Sequence, residues 1–227
     1  MKWVLDLLAR YPWCLRELIR LALGVHNFCY WFVSRASQRL ESSQLHPKHR
    51  IMRYHEWFVS RLEPGQRVLD LGCGNGALLE DMARKVGAQN AFGIDLDPRN
   101  VDIARRRVPG AHLTTGDGTS HKWNEKFHAV VLSNVLEHLE ERVCFLSGLH
   151  SMSDRILVRV PLLDRDWIVP YKREMGIEHR LDATHQIEYT AEGFEKEVRD
   201  GGWSIQEDAV RFGELFVVLA PSRRAGE

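Results

Sequence analysis

Apolar residues in the first 36 positions recur every three or four residues: Trp3, Val4, Leu7, Leu8 and Tyr11, then Leu15, Leu18, Ile19 and Ala22, with charges between them. That period gathers them on one side of a helix and predicts two amphipathic helices hinged near Pro12. Residues 37–47 read as a polar connector ending in a proline, and a third helix is expected from Lys48 to Arg61, stopped by the Glu63-Pro64-Gly65 turn. After Gly65 the texture changes. Short runs of Val, Leu, Ile and Phe alternate with longer helical patterns, as in βαβ units on a parallel sheet. Strands are predicted at 67–71, 91–95, 111–115, 129–133 and 155–160, with helices near 76–86, 98–107 and 139–151. Residues 161–189 show no clear period. A helix that Thr190 can cap follows, then strands at 203–209 and 214–220 joined as a hairpin at Arg211–Gly213. Irregular stretches as long as 161–189 inside compact domains are often lids or binding loops. The expected division is an N-terminal helical segment, residues 1–61, and an α/β domain, residues 62–227, with 161–189 as its insertion.

Composition narrows the class. With 44% hydrophobic and 27% charged residues in 227, the chain is a soluble globular one, and disordered or fibrous classes are excluded. Its formal charge of zero hides an asymmetry. Residues 1–53 hold nine Lys or Arg against three acidic residues (+6), and the remainder holds 22 against 28 (−6). A basic segment on an acidic body points to a surface or partner for the basic part, while the acidic body counts against nucleic acid as a partner. Cys14, Cys29, Cys73 and Cys144 are widely spaced with no C-x-x-C pair, so a reduced, cytoplasmic setting is expected and neither zinc nor a redox centre is implied. Charges interrupt the N-terminus too often for a signal peptide, and its longest uncharged run, Leu21 to Ser34, is 14 residues, short of the roughly 20 that span a bilayer. Trp3, Trp13, Phe28, Tyr30, Trp31 and Phe32 among arginines fit a helix lying on the inner membrane surface. They equally fit a cap over an active site, a dimer face, or simple cover for one sheet edge. Monomer and homodimer both remain open.

The sharpest signal is VLDLGCGNGALLEDM, residues 68–82. A buried strand runs into Gly72, Gly74 and Gly76, whose missing side chains allow a tight turn and close approach of a ligand before a helix N-terminus. Gly72 to Ala77 also satisfies the G-x-G-x-x-G/A pattern of dinucleotide-binding folds. Asp70 separates the readings. A carboxylate two residues before the first glycine would repel a pyrophosphate and suits a ligand carrying a cation. Asp95 closes the next strand, 23 residues after Gly72, at a spacing where a carboxylate can hold both ribose hydroxyls of a nucleoside. Asp117 closes the third. The carboxyl ends of neighbouring strands in an open α/β sheet face one crevice, so the three acids converge there, although Asp is also a common turn former.

This set resembles the class I S-adenosylmethionine-dependent methyltransferases over residues 66–220, with Asp70, Gly72, Gly74 and Gly76 matching the D-x-G-x-G-x-G cofactor loop. The resemblance implies a Rossmann-like doubly wound seven-stranded sheet of order 3-2-1-4-5-7-6 with strand 7 antiparallel, and S-adenosylmethionine as cofactor. It would place Asp70 near the methionine amino group, Asn75 in the loop, Asp95 on the ribose, Leu96 on the adenine face, and Asp117 beside Gly118 at the adenine amino group. The segment Ser133 to Glu141, SNVLEHLEE, resembles the branch containing ubiquinone- and menaquinone-biosynthesis and small-molecule or sugar O-methyltransferases. Ser133 and Asn134 would touch the cofactor, with Glu137 and His138 just beyond.

Methyl transfer from a sulfonium needs chiefly alignment and, for a hydroxyl acceptor, a base. His138 is the candidate base, the alternative being that it caps the following helix. The Asn/Asp-Pro-Pro-Tyr/Phe motif of amide- and exocyclic-nitrogen methyltransferases does not follow this strand. In related enzymes the insertion covers the acceptor, and His185 would face the site, with Trp167, Tyr171 and Tyr189 as substrate contacts. His138, His179 and His185 with Asp164 and Asp166 form a conceivable metal set, but their loop spacing is unconstrained and no metal is expected. The expected function is methyl transfer to an oxygen of a small-molecule, lipid-linked or saccharide acceptor. A non-catalytic cofactor-binding or assembly module and a nicotinamide-dependent oxidoreductase are the competing readings.

Overall fold

A computed structural model describes all residues except 1, 2, 4, 5, 8, 42–44 and 223–227. Seven strands form one sheet: β1 (Val68–Leu71), β2 (Ala91–Asp95), β3 (His112–Thr115), β4 (Ala129–Ser133), β5 (Ile156–Pro161), β6 (Trp203–Arg211) and β7 (Glu214–Pro221). Their order is β3-β2-β1-β4-β5-β7-β6. The first five are parallel, and β7 runs antiparallel between β5 and β6, the topology that the resemblance implies. β1 and β5 are buried at every position, as parallel strands covered on both faces must be. Alternate residues point to opposite faces. Leu69, Leu71, Val130, Leu132 and Trp203 enter one apolar layer, and Val68, Val131, Trp57, Phe58 and Phe216 the other. The β6–β7 hairpin turns at Phe212 and Gly213, both with positive φ (51° and 71°), while Arg211 pairs with Glu214. Two left-handed residues in a two-residue loop match the right-handed twist of the strands.

Helices α4 (Ala77–Val86), α5 (Pro98–Arg107), α6 (Arg142–Gly148), α7 (Ile168–Glu174) and α8 (Ala191–Asp200) follow strands or lie in the insertion. Thr190 caps α8 as expected, accepting from the Gly193 amide at 3.0 Å. α6 is shorter than the predicted 139–151, its last turn tightening to 3₁₀ geometry at Leu149–Ser151.

The N-terminal segment departs further from expectation. The chain turns just ahead of Pro12, and α1 then runs unbroken from Pro12 to Leu40, absorbing the first residues of the expected connector. Gln38, Arg39 and Leu40 are good helix formers, so nothing stops the helix at Ser37. Val4 and Leu8 of the expected first helix lie outside the described residues. The helix predicted over 48–61 is two, α2 (Lys48–Met52) and α3 (Tyr54–Val59), broken at Arg53 (φ 50°). The break turns Tyr54, Trp57 and Phe58 into the core beside Leu79, Met82 and Phe216, a burial a straight continuation of α2 does not provide. Among the described residues no helix is long and apolar enough to cross a membrane.

Candidate active site

Two side-chain groups meet at the carboxyl ends of β1, β2 and β4. The first surrounds the glycine loop. Asp70, near the end of β1, is buried, and among the described residues no basic side chain pairs with it. Burial and the neighbouring Asp95 push its carboxyl up to about 8. The chain then turns through Gly72, Gly74 and Gly76 into α4, and a Cβ on Gly76 would lie 2.8 Å from that of Ala104, so the loop packs on α5 only as glycine. Asp95 ties the loop to β2: one carboxylate oxygen accepts from the Gly74 amide at 2.8 Å, the other from the Asp97 amide at 2.9 Å and Asn100 Nδ2 at 3.2 Å. Asn75 Oδ1 accepts from Arg107 at 3.0 Å. Leu96 leaves 72% of its surface exposed beside this loop. Asp117 is exposed and accepts from the Thr119 hydroxyl and amide (2.7 and 2.8 Å), the bonding of a turn former, which holds its carboxyl below the usual range. At Gly118 a Cβ would meet Leu71 Cδ2 at 2.7 Å.

The second group lies past β4. Asn134 takes a left-handed φ of 59°, and Leu136–His138 form a single 3₁₀ turn. Asn134 Nδ2 donates to Glu137 Oε1 at 2.7 Å, while Glu137 Oε2 is buried without a hydrogen-bond partner. Burial pushes this carboxyl up to about 7. The insertion returns to the same place, with the Gln186 amide donating to the Glu137 carbonyl at 2.7 Å. His185 is thereby brought edge-on to His138, ring centroids 4.7 Å apart. The Thr184 hydroxyl donates to Asp182 at 2.8 Å, so His138 Nδ1, 3.0 Å from that oxygen, is the donor to it. His185 Nδ1 donates likewise to Glu188 at 2.9 Å, and Arg165 pairs with the same carboxylate. In its neutral form each ring therefore carries its lone pair on Nε2. Burial, with His185 beside it, lowers the His138 pKa, which favours the neutral ring near pH 7.

Several expected residues are placed differently. Tyr189 is no substrate contact: it is fully buried in the core, and its hydroxyl donates to Glu197 at 2.6 Å. Trp167, by contrast, is exposed on the insertion, with the Tyr171 ring beside it at 5.9 Å. His138 caps no helix, since α6 begins at Arg142 behind Glu141. Of the conceivable metal set, His138 and His185 meet, and Glu137 joins them in place of His179, Asp164 and Asp166. Sequence reasoning missed Arg159, buried on β5, ion-paired with Glu214 and stacked 3.7 Å over the Tyr54 ring. The signal was present, because an arginine within RILVRV must be buried with a partner.

The profile of the family described as methyltransferase domain matches this architecture where the glycine loop and β4 lie. Residues 68–153 match that family. The chain is 37% identical to the ribosomal protein L11 methyltransferase of Burkholderia vietnamiensis over 83 residues, which are 37% of this chain and 27% of that protein. The chain thus spans about a quarter of the length of such curated relatives. Among solved structures, magnesium protoporphyrin IX methyltransferase from Synechocystis PCC 6803 with bound SAH superposes with TM-score 0.64 at 20% identity, covering 91% of this chain and 99% of that one. The TehB-like SAM-dependent methyltransferase from Corynebacterium glutamicum gives 0.55 at 18%, covering 74% and 86%. The fold is the Rossmann-like methyltransferase fold with an N-terminal helical extension.

Proposed function

We propose that the chain is an S-adenosylmethionine-dependent methyltransferase that moves a methyl group to an oxygen of a small-molecule, lipid-linked or saccharide acceptor. Asp70 carries the cofactor assignment. A buried carboxylate facing no cation is costly, and a methionine ammonium relieves it, whereas the pyrophosphate of a nicotinamide dinucleotide would add repulsion. Asp95 can exchange part of its bonding to the loop for ribose hydroxyls, Leu96 offers an apolar face to adenine, and Asp117 accepts from the exocyclic amine. Ser133 and Asn134 line the sulfur side. When bound, S-adenosylmethionine supplies a methyl group on a sulfonium, so the protein has only to align the acceptor and take its proton. The Nε2 lone pair of His138 takes the hydroxyl proton, and Thr184 and Asp182 behind Nδ1 stabilise the resulting imidazolium. Calorimetric titration with S-adenosylhomocysteine, paired with transfer of labelled methyl groups into lipid and glycan fractions, tests this reading. Binding of NAD and none of S-adenosylhomocysteine overturns the cofactor; binding without any transfer favours a non-catalytic module.

The lipid-linked branch is favoured by α1. Leu21, Val25, Phe28, Trp31, Phe32 and Val33 stand exposed along a stretch without charge, with Arg16, Arg20, Arg35 and Arg39 at its two ends. The opposite side of α1 holds the insertion: Arg20 donates to the Met175 carbonyl, Asn27 to the Glu178 carbonyl at 2.8 Å, and Lys172 Nζ lies 3.1 Å from His26 Nδ1. An apolar stripe between arginines complements the surface of an anionic bilayer at the cytoplasmic face. A helix seated there would bring membrane and acceptor-covering insertion together. Flotation with anionic vesicles, using the Phe28→Glu/Phe32→Glu double variant as control, tests the contact.

A further inference from the structure

Glu137 and His138 sit in the turn after β4, His185 near the end of the insertion, and one ligand atom from each lies within 4.8 Å of the other two. We propose that these three side chains bind a first-row divalent cation such as Zn²⁺ or Mn²⁺. The proposal rests on the methyltransferase reading for the cation's role, although not for its binding, and in the metal-loaded protein it replaces the proton transfer to His138 that the metal-free site would use.

Three observations support it independently of sequence spacing. Each histidine has its Nδ1 committed, His138 to Thr184 and His185 to Glu188, which fixes both rings and leaves Nε2 as the donor atom. A carboxylate or hydroxyl behind each ligating ring is the usual outer layer of a metal site. Glu137 is fully buried and its Oε2 has no hydrogen-bond partner, so that atom lacks a protein group to satisfy it. A cation is the group that meets such an oxygen and two imidazole lone pairs at once. Two imidazoles and one carboxylate, with no thiolate, suit Zn²⁺, Mn²⁺ or Fe²⁺ rather than Ca²⁺ or Mg²⁺. Ligands about 2.1 Å from a tetrahedral ion are separated by about 3.4 Å, so side-chain rotations of around an ångström close the set. His138 is exposed, which leaves one side of the ion open to a ligand from the crevice.

At that open position the ion takes the acceptor hydroxyl and lowers its pKa. The proton leaves to water, because the His138 lone pair is then held by the ion. The oxygen–methyl bond forms as the sulfur–methyl bond breaks, the bonding pair returns to sulfur, and the ion keeps its oxidation state.

The full-length protein, stripped with chelator and dialysed, is titrated with MnCl₂ and separately ZnCl₂ by calorimetry, with bound metal counted by mass spectrometry. About one ion per chain is expected. His138→Ala, at an exposed position, is expected to abolish it, as is Glu137→Gln. Glu188→Gln, one layer out, should weaken affinity about 10- to 100-fold. S-adenosylhomocysteine affinity should stay unchanged throughout. Sub-stoichiometric metal in a protein that binds S-adenosylhomocysteine normally, or equal affinity in wild type and His138→Ala, overturns the proposal and leaves a metal-free base. Failure of S-adenosylhomocysteine to bind while metal binds overturns the methyltransferase reading instead.

Discussion

Asp70→Asn replaces the buried carboxylate by a neutral near-isostere, and its effect should depend on pH in a way no packing change reproduces. The folded pKa of about 8 lies far above the usual value of 3.8, so between these pH values the folded protein holds a proton that the unfolded chain has lost. The stability this carboxyl contributes is fully present below about pH 4 and is lost as pH rises through about 8. The loss runs at about 1.4 kcal/mol per pH unit, because one pKa unit is 1.36 kcal/mol. From pH 5.5 to 7.5 the ligand-free wild type should therefore fall relative to Asp70→Asn by about 2 to 3 kcal/mol, or roughly 4 to 12 °C in Tm for a domain of this size. The fixed cost of burying an amide cancels in that difference. Pairing with an ammonium should also discharge the carboxyl. A group of pKa 8 is about nine-tenths protonated at pH 7, so S-adenosylhomocysteine binding should release about 0.9 proton, read from titrations in buffers of different ionisation enthalpy. Asp70→Asn should release none and bind more weakly. A Tm gap independent of pH, together with no proton release in the wild type, would refute the reasoning.

Other substitutions probe other parts. Asp95→Ala should weaken S-adenosylhomocysteine binding by about 1 to 3 kcal/mol, since a charged hydrogen-bond partner is lost, and unchanged calorimetric affinity would remove Asp95 from the site. His138→Ala should lower turnover roughly 100- to 10,000-fold with S-adenosylhomocysteine affinity intact; surviving turnover would exclude it as the base. Glu214→Gln leaves the Arg159 guanidinium buried without its counter-charge and should cost about 3 to 5 kcal/mol in urea unfolding, whereas a loss under 1 kcal/mol would mean that Tyr54 and water suffice. Phe28→Glu/Phe32→Glu should abolish flotation with anionic vesicles while leaving Tm unchanged, and equal flotation of variant and wild type would assign α1 to another role.

The strands and the glycine loop were legible in the sequence because both are written in local pattern, whereas the order of the strands in the sheet came from the family resemblance. Strands such as AFGID and AVVLS are short apolar runs bounded by turn residues, and their observed bounds are 91–95 and 129–133 as predicted. Asp70, the three glycines and Asp95 are bound to strand ends by that same pattern. The tertiary structure decided what local pattern does not encode. Arg53 breaks the helix at 48–61 because α3 gains a buried face against the sheet, and burial against distant residues overrides helix propensity. Tyr189 looks like a pocket aromatic in the sequence and is a core residue in the fold, since its partners Phe194 and Glu197 lie on the next helix. His185 is 47 residues from His138 along the chain, on a loop whose path no periodicity specifies. It meets His138 and Glu137 only because the backbone of the Glu137 turn is bonded to the insertion.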